Sequence, residues 1–233
     1  MGFSSITISL TQCFMVALST VGITTPALAE KAPVSIKINV EEERASLRLV
    51  VRSAGYTAQR NTILQQGNKD KISIVSVLDP SGLEFVLVSD QSTTSKVMDS
   101  NHIAALGLST DQAVALGRKQ VLATLPSIPE YSDVDEGVIT SPNIDYIASL
   151  FLAEGWDRLN VSLGGNLIVA IPSDDIIVIS GPKTTDERAK LKDYVKLKYD
   201  DANRAVSDAL YTRKDGKWMA LHQEDQAVAR GAN

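Results

Sequence analysis

Two almost wholly apolar, β-branched runs, Leu167 to Ile171 and Ile176 to Ile179, stand four residues apart, and they constrain this chain more than any other feature. Pro172-Ser173-Asp174-Asp175 between them is turn chemistry: proline presets φ, and the short Ser and Asp side chains bond to nearby backbone. A hairpin with no polar alternation must have both faces covered, so it belongs in the middle of a sheet. Two further hairpins accompany it. Lys71 to Leu78 and Leu83 to Val88 flank Asp79-Pro80-Ser81-Gly82, a type I turn sequence. Leu210 to Arg213 and Lys217 to Leu221 flank Lys214-Asp215-Gly216, where Asp-Gly supplies the positive φ values of a type I′ turn.

Helices are announced by their caps. Ser109-Thr110-Asp111-Gln112 and Thr184-Thr185-Asp186-Glu187 are both capping boxes, and each precedes apolar residues at helical spacing. The first helix should run to about Ala123 and the second to about Ala202. Trp156 and Leu159 mark a short helix ending at Gly164-Gly165. Ser35 to Val40 alternates as a half-buried strand. Leu47, Leu49 and Val51 repeat that pattern after Glu41-Glu42-Glu43-Arg44, which equally suits a helix start. Leu125 to Thr140 reads as a long connecting loop, with a short strand at Gly137-Val138-Ile139. Tyr146 to Leu152 fits helix and strand alike. Hairpins separated by helices predict an α+β fold, an antiparallel or mixed β-sheet built from hairpins and covered by a few helices.

The first 29 residues contain no Lys, Arg, Asp or Glu, and their apolar run ends at Ala27-Leu28-Ala29, small residues where signal peptidase cuts. The expected organisation is a signal peptide over 1–29, one domain over 30–221 and a polar, disordered tail over 222–233, with the mature protein periplasmic or secreted. An uncleaved anchor is the competing reading, but the run is short and broken by Ser and Thr, so no stable membrane span is expected after cleavage. Cys13 is the sole cysteine, which leaves the mature chain without disulfides or thiolate metal ligands. A formal net charge of -5 offers no general attraction to phosphate backbones, which argues against nucleic acid.

Standard catalytic patterns are missing. The only histidines are His102, placed in a mid-chain loop, and His222 in the tail, too few and too scattered for a zinc or iron site. Asp133, Asp135 and Glu136 lack the later ligands and turn glycine of a calcium loop. In Ser92-Thr93-Thr94-Ser95-Lys96, threonine holds the place a Ser-Lys nucleophile needs, so the stretch reads as a polar loop. No metal and no cofactor are expected. Asp174 and Asp175 could share a proton as an acid/base pair, although turn-amide bonding is the more ordinary role for such residues. A carboxylate-based hydrolase would draw on Asp175 with Asp145 or Glu154. A binding site would draw on Pro172, Ser173, Asp174 and Asp175, or on Trp156 and Trp218, whose ordinary role is core packing.

Tyr146-Ile147-Ala148-Ser149-Leu150-Phe151-Leu152, Trp156-Asp157-Arg158-Leu159, the stretch Gly164 to Asp175, and Ser207 to Tyr211 with Asp215-Gly216-Lys217-Trp218 together resemble the YtpQ-like bacterial family of uncharacterised proteins. The resemblance covers roughly residues 72 to 220. It implies a strand for Tyr146 to Leu152 and a single domain, and it supplies no activity. Two departures stand out: the family usually carries a basic residue where Asp174 stands, and its typical members lack a signal peptide.

The readings that follow are an exported, non-catalytic binding or protein-interaction domain, acting on another envelope protein or a small ligand, with a carboxylate hydrolase and a small-ligand carrier as alternatives. The oligomeric state is not legible. Protein recovered from the cell envelope is expected to begin at Glu30 by N-terminal mass spectrometry, and an intact Met1 there would refute the cleavage.

Overall fold

The computed structural model describes residues 39–67, 73–91, 94–135, 137, 139–140 and 144–221. The expected signal peptide, the tail with His222, and Ser35 to Ile38, Ile72, Ser92, Thr93 and Glu136 lie outside them. The described residues form one α+β unit with two antiparallel sheets.

The first sheet has the order β1 (Leu47–Arg52), β3 (Glu84–Gln91), β2 (Ser76–Leu78), with β4 (Thr94–Val97) also pairing with β3. Its hairpin turn is the one the sequence predicts: the Asp79 carbonyl accepts from Gly82 N at 2.8 Å, and the Asp79 carboxylate accepts from Ser81 N at 2.8 Å. Ahead of β1, the strand expected to reach Val40 gives way to helix α1 (Val40–Ala45). Asn39 caps it through Glu42 N, and the three glutamates of its first turn favour a helix N-terminus.

Three segments expected as loops carry regular structure. Lys96 lies in β4, paired with Ser89. His102 lies in helix α3 (Ser100–Ala105), because Asp99 accepts from Asn101 N and His102 N as its N-cap. The stretch from Leu125 to Thr140 contains helix α5 (Tyr131–Asp135), and the short strand expected at Gly137 to Ile139 is β5 (Ile139–Thr140), with Val138 outside the described residues. Asp133 accepts from Glu130 N at 3.0 Å at the start of α5, an ordinary capping role. Helix α2 (Tyr56–Gly67) went unpredicted, since its apolar residues have no helical period.

Helix α4 (Thr110–Leu122) begins at the predicted capping box and lies on β1. Gly117 makes this contact possible: a Cβ there would meet the Leu87 side chain at 2.5 Å and the Arg48 backbone at 3.2 Å.

The second sheet has the order β5-β7-β6-β8-β9, built on β6 (Ile168–Ser173), β7 (Ile176–Ser180), β8 (Leu210–Lys214) and β9 (Lys217–Ala220). The apolar hairpin sits mid-sheet as predicted, with every residue of β6 buried. The turn is tighter than four residues. Pro172 and Ser173 complete β6, and Ser173 already pairs with Ile176, leaving Asp174 and Asp175 as the turn. Helix α6 (Trp156–Ser162) precedes the sheet, and α7 (Thr185–Asp200), with its capping box, covers one face by packing Leu191 and Val195 against Ile168, Ala170 and Val178.

Tyr146 to Leu152 is not the strand that the family resemblance implies. Ile147–Leu152 is a 3-10 helix, entered through Tyr146 in the left-handed region at φ 61. Ile147, Ala148, Ser149, Leu150 and Phe151 are all buried in succession, and the four apolar ones join the core shared by both sheets. A strand would commit its carbonyls to a ladder. Here Leu150 O accepts from the Trp156 indole and Phe151 O from the Trp218 indole, each at 3.1 Å.

Phe151 is the hub of this core, stacked on Trp218 at 4.2 Å, edge-on to Tyr211 at 5.4 Å and facing Phe85 of the first sheet at 6.3 Å. Phe151→Ala is expected to lower stability by about 3–5 kcal/mol, measured by urea denaturation followed through tryptophan fluorescence. A loss below about 1 kcal/mol would refute the hub assignment.

Candidate functional site

The Pro172–Asp175 segment is where the sequence concentrates its candidates, and the fold separates their fates. Pro172 and Ser173 are buried in β6. Asp174 is only 2% exposed, a carboxylate taken almost entirely out of water. Such a group is stable only if it is paired or neutralised. Two arginines meet it. Arg52, at the end of β1, donates from Nη1 to Oδ2 at 3.1 Å, and Arg204 brings Nε to 3.0 Å from Oδ1. Arg204 is held there because its segment runs beside β6, with Val206 N donating to Pro172 O at 3.0 Å and Ser207 N to Ile171 O at 3.1 Å.

The Arg204 contact is an ion pair out of line with its N–H, and Oδ1 accepts no hydrogen bond among the described residues. Burial therefore dominates and pushes the Asp174 carboxyl above its ordinary range, although Arg52 and Arg204 pull it down. Asp175 adds a smaller upward push.

Asp175 itself is exposed and accepts the Ser173 hydroxyl. It lines a cleft of about 260 Å³ with Ser173, Lys198, Asp201 and Arg204, two cations against two carboxylates. The two adjacent aspartates thus do different things: Asp174 is clamped inside and Asp175 faces solvent. The turn gives the two carboxylates different partners, Arg52 and Arg204 for Asp174 and Ser173 for Asp175.

The other carboxylates named for a hydrolase stand elsewhere. Glu154 lines a separate cleft of about 170 Å³, with Glu130, Tyr131 and Arg158. Asp145 is exposed and borders neither cleft. Trp156 and Trp218 are core residues, packed edge-on at 5.4 Å with both indole N–H groups engaged, so neither forms a binding wall. No group of three His, Cys, Asp or Glu that could hold a metal occurs among the described residues.

Sequence reading missed Arg52, Arg204 and Tyr146. Arg52 lies 122 residues from Asp174, and no local pattern links them. Burial raises the Tyr146 hydroxyl above its ordinary value, and a hydrogen bond to Asp90 raises it further, against smaller opposing influences from Ser95 and Arg52. Arg52 thus pairs with Asp174 and also lowers the Tyr146 hydroxyl electrostatically. The left-handed φ of Tyr146 was the one signal available nearby, and it exists only in the folded chain.

Compared with family models, curated proteins and solved structures, the chain finds no match.

The clamp predicts a pH signature. A carboxyl raised on folding stabilises the fold fully below its unfolded value of 3.8, and that contribution is lost as pH rises through the folded-state pKa. Stability of the wild type relative to Asp174→Asn should therefore increase as pH falls across that window, measured by denaturant titration. Arg52→Met should cost about 2 kcal/mol at neutral pH and less once Asp174 is protonated. A pH-independent difference would refute the assignment.

Proposed function

We propose that this chain is an exported, non-catalytic protein-interaction domain that docks another envelope protein through α2 and the neighbouring edge of the first sheet. The observation that carries this reading is α2 itself. None of residues 56–66 is buried. A helix of this length is marginal in water alone, and in folded proteins most of its stability comes from packing an apolar face. What α2 has is a polar tether. Glu84 accepts from Gly55 N at 2.7 Å and Thr57 N at 2.8 Å at the helix start, and Asn61 accepts from Ile74 N at 3.0 Å. Arg52 and Arg60 lie against the Tyr56 ring at 5.9 and 5.8 Å.

The tethered helix presents Ile63, 55% exposed, and Leu64, 39% exposed. Edge strand β2 presents Val77 at 42% and Leu78 at 70%, and Leu78 stands opposite Glu84, the residue that holds α2. Exposed apolar groups on the helix, and on the edge strand beside the residue that anchors it, favour a protein partner. Arg60 is the only charged residue of α2, so the helix lacks the basic face that lipid or nucleic acid would require. The separation of Asp175, Glu154 and Asp145 supports a binding reading over the hydrolase. Export rests on the signal-like first 29 residues, and the YtpQ-like resemblance belongs to the same proposal without adding an activity.

In-cell cross-linking of the tagged protein should capture one near-stoichiometric envelope protein, and the paired substitution Ile63→Asp with Leu64→Asp should remove it. That change should alter stability by no more than about 0.5 kcal/mol, since both side chains are exposed. In the complex, α2 amides should gain protection from hydrogen exchange. Retention of the partner by the double variant, or a turnover on any ester, peptide, glycoside or phosphate substrate that Asp175→Asn abolishes, would overturn the proposal.

A further inference from the structure

A third cleft, larger than the two beside Asp175 and Glu154, opens at the start of α7. Its volume is about 680 Å³, with Val134 of α5 on one side, Pro182 after β7 on another, and Leu191 and Tyr194 of α7 forming the rest of an apolar wall. Sites that enclose small molecules usually measure roughly 300–1,000 Å³ and combine an apolar lining with few polar groups. Leu191 is buried, and it belongs to the cluster that joins α7 to Ile168, Ala170 and Val178. The wall is thus continuous with packed core and is preformed, which spares a ligand the ordering cost of building it.

The polar groups of the cleft are unequal. Glu187 is committed to the capping box: its Oε2 accepts from Lys183 N at 2.6 Å and Thr184 N at 3.3 Å, while its own N–H bonds to Thr184 Oγ1 at 3.1 Å. Lys190, one turn along the same helix, lines the cleft and makes no hydrogen bond or ion pair among the described residues. Among the described residues its ammonium is an uncommitted cation beside an apolar wall. The positive end of the sixteen-residue helix α7 adds to the same sign of field.

From this juxtaposition we infer that the cleft binds a small amphipathic monocarboxylate, its aliphatic or aromatic body against Val134, Pro182, Leu191 and Tyr194 and its carboxylate on Lys190. A single negative charge is selected because, of the two lysines that line the cleft, Lys183 already has a partner and Lys190 has none among the described residues, and the nearby Glu187 carboxylate repels a second charge. The cleft lies on elements other than α2 and β2, so this inference does not rest on the docking proposal.

Calorimetric titration of the full mature chain with octanoate, octan-1-ol and octylammonium tests it. Octanoate should bind saturably at one site, more tightly than the alcohol, with octylammonium weakest. Lys190→Gln should weaken octanoate about fivefold and leave octan-1-ol unchanged, the scale of one partly exposed charge pair. Lys190→Glu should abolish octanoate binding, and because Lys190 is exposed its thermal midpoint should not move. Amide resonances of Gly181, Leu191 and Tyr194 should shift with octanoate. Absence of saturable binding, equal affinity for octanoate and octan-1-ol, or octanoate binding indifferent to Lys190→Glu would each overturn the inference.

Discussion

The structure depends on a short 3-10 helix, Ile147–Leu152, set into the core that the two sheets share. Five consecutive buried residues need cover on every side, which β6 finds as a mid-sheet strand with both faces covered and which this segment finds as a helix lying between the sheets. A tight helix turns them through all directions, and both sheets then pack around it. Two of its carbonyls also accept from side chains: the Trp156 indole donates to Leu150 O, which Ala153 N shares, and the Trp218 indole donates to Phe151 O. Burying a tryptophan requires a partner for its N–H. The two largest side chains of the protein are therefore satisfied by the same backbone segment, and Phe151 between them connects Trp218 and Tyr211 of the second sheet to Phe85 of the first.

Polar groups at this junction follow from the packing. Asp174 sits at the end of a strand with no exposed residue, so its carboxylate cannot reach bulk water and must find charge inside the protein. Arg52 comes from the first sheet and Arg204 from the chain beside β6, and together they hold the turn against the rest of the molecule. An electrostatic clamp of this kind specifies geometry more than it adds stability, since desolvation offsets much of the attraction. It also removes Asp174 from chemistry that a neighbouring pair of aspartates suggests. What remains accessible is a set of separate surfaces: the polar cleft at Asp175, the apolar cleft at Lys190 and the exposed helix α2.

Local signals in the sequence were reliable where the structure obeys local physics. Both capping boxes formed, the Asp215-Gly216 turn has φ 50 and 74, and the mid-sheet hairpin lies where its uninterrupted apolar runs require. Misreadings arose where tertiary context outweighs propensity. Val40 follows the cap residue Asn39 and precedes three glutamates that favour a helix N-terminus, so it opens α1 where an alternating pattern predicts the end of a strand. His102 is helical because Asp99 caps it, a role one carboxylate three residues away does not announce by itself. The α2 helix carries no periodic stripe because it packs no face of its own, so the usual signal for a helix was absent for the same physical reason that its surface is open.

By itself the sequence determined the class of fold, the three hairpins, the two capped helices and the charge and cysteine content that limit partners and chemistry. These are properties of residues close together in the chain, where backbone hydrogen bonding and side-chain periodicity act directly. Tertiary structure alone decided that there are two sheets, that Ile147 to Leu152 is helical, and that Asp174 is clamped inside while Asp175 faces solvent. It also decided that Lys190 faces an apolar cleft. Each of these depends on which distant side chains share a desolvated space, as Arg52 and Asp174 do across 122 residues, and a linear pattern carries no record of that proximity.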